Sequence, residues 1–159
     1  MPTVTLPRPE DCNCFAVRSA ARHVTQLYDQ LLAPAGLRVT QFSILAKLKR
    51  KGPLTINVLA DDMVMDRTTL GRNIRPLERD GLIRIEAAAS DRRAKELHLT
   101  KAGENRLRAG LEAWAAAQAR CRDAHAAEGG GCQPIHAHRS RRKAVRSDPV
   151  SRHEVNSDI

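Results

Sequence analysis

Apolar residues recur at helical spacing in most of this chain and alternate in two short runs near its middle. From Asp11 to about Ala33, Phe15, Val17, Ala20, Ala21, Val24, Leu27, Tyr28, Leu31 and Leu32 cover more than one narrow stripe. A helix apolar over so wide an arc must be covered by more than one neighbour. Pro34-Ala35-Gly36 ends it, and a second helix is expected from Leu37 to Lys51, capped by Thr40, with Phe42, Ile44, Leu45 and Leu48 inside. After Gly52-Pro53, Leu54-Thr55 adds a short strand. A third helix spans Ile56–Met63, with Val58, Leu59 and Met63 on one side. A fourth runs from Asp66 to Arg79, its Leu70, Ile74 and Leu77 forming a buried stripe. Asp66 or Thr68 accepts from its free N–H groups, and Gly81 terminates it. Leu82–Glu86 and Ala94–Thr100 read as strands, the second with Leu97 and Leu99 inward and Glu96 and His98 outward. Thr100 then caps a last helix through Leu107, Leu111 and Trp114.

The polar side of the fourth helix carries the candidate chemistry. Arg67, Thr68, Thr69, Arg72, Asn73 and Arg75 point away from the apolar stripe. Guanidinium, hydroxyl and amide groups are the types that contact phosphates and base edges in a major groove. A merely solvated face more often interleaves Glu with Lys; here the sole acid after Asp66 is Glu78. Between the strands, Ala87–Arg93 makes a hairpin tip ending in Arg92 and Arg93, with Asp91 placed to brace Arg93. A helix-turn-helix followed by a basic-tipped hairpin is a winged helix, and its tip can lay a guanidinium into a narrow minor groove. The expected fold class is therefore mainly α with a small antiparallel β-wing. In it a winged helix-turn-helix over 37–99 joins a helical dimerisation region over 11–36 and 100–120.

The order of these blocks resembles the MarR family of bacterial transcription regulators. The similarity rests on Leu59-Ala60, Asp66–Leu70, Pro76–Ile83, Asp91-Arg92-Arg93 and Leu99–Gly103, and extends from about Cys12 to Ala119. The resemblance implies a homodimer whose first and last helices intertwine. Two recognition helices then address successive major grooves of a near-palindromic site in double-stranded DNA. Thr68, Thr69, Arg72 and Asn73 are expected to read bases, Arg67 and Arg75 to fix phosphates, and Arg92 or Arg93 to serve the wing. Pro76 removes the N–H that would bond Arg72. No enzyme is implied, since Asp and Glu never join His or Ser in a catalytic arrangement, and no cofactor is called for.

Charge and cysteines narrow this picture. The net charge is +9 over 159 residues, with a pI near 10.1, which favours a polyanion. Lys and Arg number seven against five Asp and Glu after Arg120, leaving twenty against thirteen in residues 1–120, so the folded part is itself basic. No apolar run is long enough to span a bilayer and the N-terminus lacks signal-peptide regions, so a cytoplasmic protein with no membrane partner is expected. In that compartment four cysteines are not a disulfide framework. Residues 1–10, rich in proline, read as an arm. Residues 121–159, with Gly129-Gly130-Gly131 and the basic Arg139–Lys143, read as a disordered basic tail where the resemblance ends. The break at Cys121 suggests a change of reading frame relative to relatives; an amphipathic helix in no alternative frame of the gene would refute that.

Two input sites are candidates, a small-molecule cleft as the first reading and a thiol switch as the alternative. The resemblance implies a cleft for a small aromatic or phenolic acid, lined by Arg18, His23, Tyr28 and Met63, whose binding relieves repression. The stretch Cys12-Asn13-Cys14-Phe15-Ala16 is also similar to the organic-hydroperoxide-sensing branch of that family. There the residue at Cys14 is oxidised and a tyrosine matching Tyr28 bonds the thiol, whereas two further tyrosine positions are Arg18 and Val39 here. A helix N-terminus favours nearby negative charge, and the thiolate is the reactive form of cysteine. Cys12 and Cys14 are thus redox candidates, against the plain alternative of idle thiols. A relative defective in dimerisation, acting through protein–protein contact, is a further alternative. Cys132, His136 and His138 match no common zinc spacing, so no metal site is assigned.

Overall fold

Helix α1 (Asn13–Leu32) passes through a 3-10 turn at Ala33–Ala35 into α2 (Val39–Lys51). Strand β1 (Leu54–Thr55) leads to α3 (Ile56–Met63), α4 (Arg67–Arg79), β2 (Ile83–Ala87), β3 (Lys95–Leu99) and α5 (Lys101–Ala127). The computed structural model describes Arg8, residues 12–88 and residues 93–127. The proline-rich arm apart from Arg8, the wing tip with Asp91 and Arg92, the Cys132/His136/His138 group and the cluster Arg139–Lys143 lie outside the described residues.

The architecture is the expected one, helical with one small antiparallel sheet in the order β1-β3-β2. Leu97 on the central strand pairs with Leu54 on one side and Ile85 on the other. It is fully buried, as are Ile44, Leu45, Leu59 and Leu70 from α2, α3 and α4. Alternation on β3 therefore sends Leu97 into the lobe that α2, α3 and α4 build; Lys95 shares that face but stands at the open end of the strand and is exposed.

Two local expectations give way to tertiary structure. Thr40 does not cap α2. The Val39 N–H donates to Asp29 Oδ1 on α1 at 2.7 Å, and the Arg38 N–H donates to Gln41 Oε1 at 2.9 Å. Val58 does not share a stripe with Met63. Five positions apart on a helix they lie about 140° apart. Helix α3 buries Leu59 and Ala60 instead, and Val58 is 46% exposed.

The motif from Pro76 to Leu82 ends α4 in a Schellman turn. The Leu82 N–H reaches Leu77 O at 2.8 Å, the Gly81 N–H reaches Glu78 O at 2.9 Å, and Gly81 takes φ +69°. Thr100 then clamps the start of α5 to that turn. Its hydroxyl donates to Gly81 O at 2.7 Å and accepts from the Gly103 N–H at 3.0 Å. Gly103 is required there, because a β-carbon would collide with the Leu82 carbonyl.

Helix α5 runs seven residues past Arg120, so the composition break at Cys121 is not its end. Arg122, Ala124, Ala126 and Ala127 are good helix formers, and the first strong breakers in the sequence are Gly129-Gly130-Gly131. It also joins the two expected regions. A β-carbon on Gly110 would press on the Phe42 ring at 3.1 Å, and Lys49 Nζ meets Glu104 Oε1 at 2.7 Å. Much apolar surface on the long helices stays open: Phe15, Val17, Leu111 and Trp114 are all exposed. Among the described residues, no helix is long and apolar enough to cross a membrane.

Candidate nucleic-acid interface

Helix α4 is anchored before it is used. Asp66 is its N-cap, accepting from the Thr69 N–H at 2.8 Å and from the Thr69 hydroxyl at 2.6 Å. Those bonds hold its carboxyl below the usual range, the hydroxyl contributing most and the amide next. Leu70, Ile74 and Leu77 are buried against the lobe, as their spacing predicts. At about 100° per residue, Thr68, Arg72 and Arg75 project from the opposite side, and all three are exposed. Thr69 and Asn73 occupy one flank. There Asn73 Nδ2 donates to Thr69 O at 2.9 Å. The helix continues through Pro76 to Arg79, whose guanidinium bonds Asp80.

Arg67 and Gly71 form the other flank, which faces the wing. Between this flank, the first turn of α3 and the start of β3 lies a cleft of about 400 Å³, lined among others by Asn57, Arg67, Gly71, Arg93 and Lys95. Arg93 therefore stands beside the recognition helix, and Arg92 lies outside the described residues. Asn57 and Lys95 are additions to the predicted set. Lys95 opens an otherwise ordinary strand and Asn57 sits in the first turn of a short helix, so neither carries a local sequence signal. Farther along the wing, Arg84 pairs with Glu86 at 2.8 Å, and His98 Nε2 lies 3.6 Å from both Glu86 and Glu96.

The candidate input residues are dispersed. Arg18 and His23 are exposed on α1, Tyr28 is buried farther along it, and Met63 is half-buried at the end of α3. Fourteen positions separate Cys14 from Tyr28 on one helix, about 21 Å. The thiol–phenol bond implied by resemblance therefore needs two chains. Within this chain Tyr28 lies beside Cys121 on α5. Burial chiefly, and then Cys121, raise its pKa, while Arg122 works against them. Cys12 and Cys14 are exposed at the start of α1. An apolar groove of about 440 Å³ opens elsewhere, between α2 and α5. Its floor includes Phe42 and Trp114, stacked at 6.0 Å and 14°, and its rim includes Arg50 and Arg108.

The model of the MarR family matches residues 37–95, from the start of α2 to the wing. The transcriptional regulator MosR of M. tuberculosis, solved in complex with DNA, is 38% identical, with a TM-score of 0.66 over 76% of this chain and 85% of that one. The overoxidized regulator AbfR bound to DNA is 27% identical, with a TM-score of 0.59 over 65% of this chain and 79% of that one. The organic hydroperoxide resistance transcriptional regulator of Bacillus subtilis (strain 168) is 27% identical over 90 residues, 57% of this chain and 61% of that protein's length. A capped recognition helix, a basic wing cleft and these likenesses agree: the chain belongs to the MarR family of winged-helix transcriptional regulators.

Proposed function

We propose that this chain acts as a homodimeric, cytoplasmic repressor that binds a near-palindromic operator in double-stranded DNA. The observation that carries this is the exposed stripe Thr68–Arg72–Arg75 on a helix whose other side is buried and whose start is fixed by Asp66. In this reading Thr68, Thr69, Arg72 and Asn73 meet base edges, while Arg67, Arg75, Arg92 and Arg93 hold phosphates or the minor groove. The regulator MosR, which its structure holds on DNA, supports the assignment.

Oxidation at Cys14, with Cys12 beside it, is the input best supported. Both thiols are exposed at the start of α1, and the likeness to the Bacillus subtilis hydroperoxide regulator supports this reading. A small aromatic or phenolic acid is the second reading, favoured by the apolar groove beneath Arg50 and Arg108 rather than by the dispersed Arg18, His23, Tyr28 and Met63.

The test is binding to the promoter of the chain's own gene at physiological salt, with and without organic hydroperoxide, for wild type and Cys14→Ser. Specific binding lost on oxidation only in the wild type supports the thiol switch, and indifference to oxidant moves the input to the groove. Arg72→Ala should weaken promoter binding by about 1–3 kcal/mol and relax preference at one base position. An equal loss on every sequence would make Arg72 a phosphate contact instead.

A further inference from the structure

Nothing among the described residues requires glycine at position 71. Inside a helix glycine is less favourable than alanine, and a β-carbon at Gly71 would meet nothing within 4 Å. Its φ is not positive either, since the positive-φ glycines are Gly36, Gly52 and Gly81. By contrast, Gly103 and Gly110 are each pressed by a neighbour. The bare backbone at Gly71 opens onto the cleft between α4, α3 and the wing, whose lining among the described residues includes three cations, Arg67, Arg93 and Lys95. Asn57 adds an amide on the α3 side. The nearby carboxylate of Asp66 is engaged by Thr69. A space walled by cations from two separate elements, with one helix stripped to backbone, suits a compact anionic group that must come close.

We propose that this cleft seats one backbone phosphodiester of the bound duplex. Arg67, Lys95 and Arg93 supply the charge, Asn57 donates an N–H, and Gly71 lets the sugar-phosphate chain pass against α4. The inference rests on the DNA-binding reading and deepens it. Gly71 and Lys95 become positioning residues that fix how the recognition helix sits in the groove, leaving base choice to Thr68, Arg72 and their neighbours. Phosphate contacts carry no sequence information of their own, so their loss is felt equally on all duplexes.

The experiment compares full-length wild type, Gly71→Ala and Lys95→Gln on the promoter duplex and on a random duplex across a salt series, with thermal melting of each protein. Gly71→Ala should melt at the same temperature or higher, yet bind both duplexes about tenfold or more weakly, an outcome that a merely structural glycine cannot give. Lys95→Gln should weaken both duplexes alike and reduce the salt slope by about one. Wild-type binding matched by Gly71→Ala, or a Lys95→Gln effect confined to one sequence, would overturn the phosphate seat and leave the DNA-binding reading standing. A wild type that binds neither duplex would overturn both. Inorganic phosphate titrated alone separates a free-anion pocket: saturable binding lost in Lys95→Gln, with DNA affinity unchanged, would overturn the duplex assignment.

Discussion

Helices α4 and α1 both carry apolar residues at helical spacing and end in opposite circumstances. Helix α4 closes on its own lobe, with Leu70, Ile74 and Leu77 no more than 3% exposed, a side-chain cap at one end and a Schellman turn at the other. Helix α1 spans 20 residues and buries only Tyr28 and Leu32, while Phe15 and Val17 are 47% and 68% exposed and its N-terminus has no side-chain cap. The difference lies in the width of the apolar arc. One narrow stripe is satisfied by one neighbouring surface; a broad arc needs several, and among the described residues α1 packs chiefly on α5, the 3-10 turn and part of α2. The winged lobe is a finished structure. The long helices leave apolar surface open, which the proposed second copy would cover.

The largest expected effect probes the finished lobe. Leu45 is fully buried in α2 among the core residues, so Leu45→Ala should cost about 2–5 kcal/mol, through lost burial and an unfilled cavity. Urea titration measures it. Because the cavity lies within one chain, the loss should be the same at every protein concentration, and a concentration-dependent loss would break the distinction drawn between lobe and long helices.

A smaller effect sharpens the other side. Leu111 on α5 is 49% exposed, beside Trp114 at 36%. If a second copy covers this face, Leu111→Glu should place a charge in that contact and weaken self-association about tenfold, or about 1.4 kcal/mol. Sedimentation equilibrium reads the constant, and denaturation of the dilute protein should change little. An unaltered association constant would remove Leu111 from the dimer contact and leave its groove open for a small ligand.

What the chain made legible follows the same division. The stripe of α4, its Asp66 cap, the inward face of Leu97 and the Thr100 cap of α5 are local matters, decided by residues within a few positions of one another. The start of α2 is not local, because its cap is Asp29, ten residues back on another helix. Sequence spacing therefore nominated Thr40 wrongly. Val58 was misplaced for a geometric reason, since an interval of five positions belongs to no helical stripe. The wing cleft assembles Asn57, Gly71 and Lys95 from three separate elements, and none of these stands out in its own segment. Cys121 meets Tyr28 only through the packing of α5 on α1.

The smallest effect concerns the pins that join the parts. Lys49 holds the Glu104 carboxyl below its usual range, chiefly by the hydrogen bond between them and then by charge, which ties α5 to the lobe. Lys51 does the same for Asp62, tying α3 to α2. A carboxyl with a folded pKa below its unfolded value lets the unfolded chain bind more protons, so stability rises with pH through that interval. The contribution is present above the ordinary carboxylate range and is lost as pH falls through the depressed folded values, from about pH 4 downward. Melting temperature should therefore fall across that acid interval. Glu104→Gln should flatten part of the fall while lowering the melting temperature slightly near neutrality, because exposed pairs contribute little. The pair bridges α2 and α5 within one chain, so its acid loss should be equal in dilute and concentrated protein. An acid loss confined to concentrated protein would move the sensitive groups to the contact between copies.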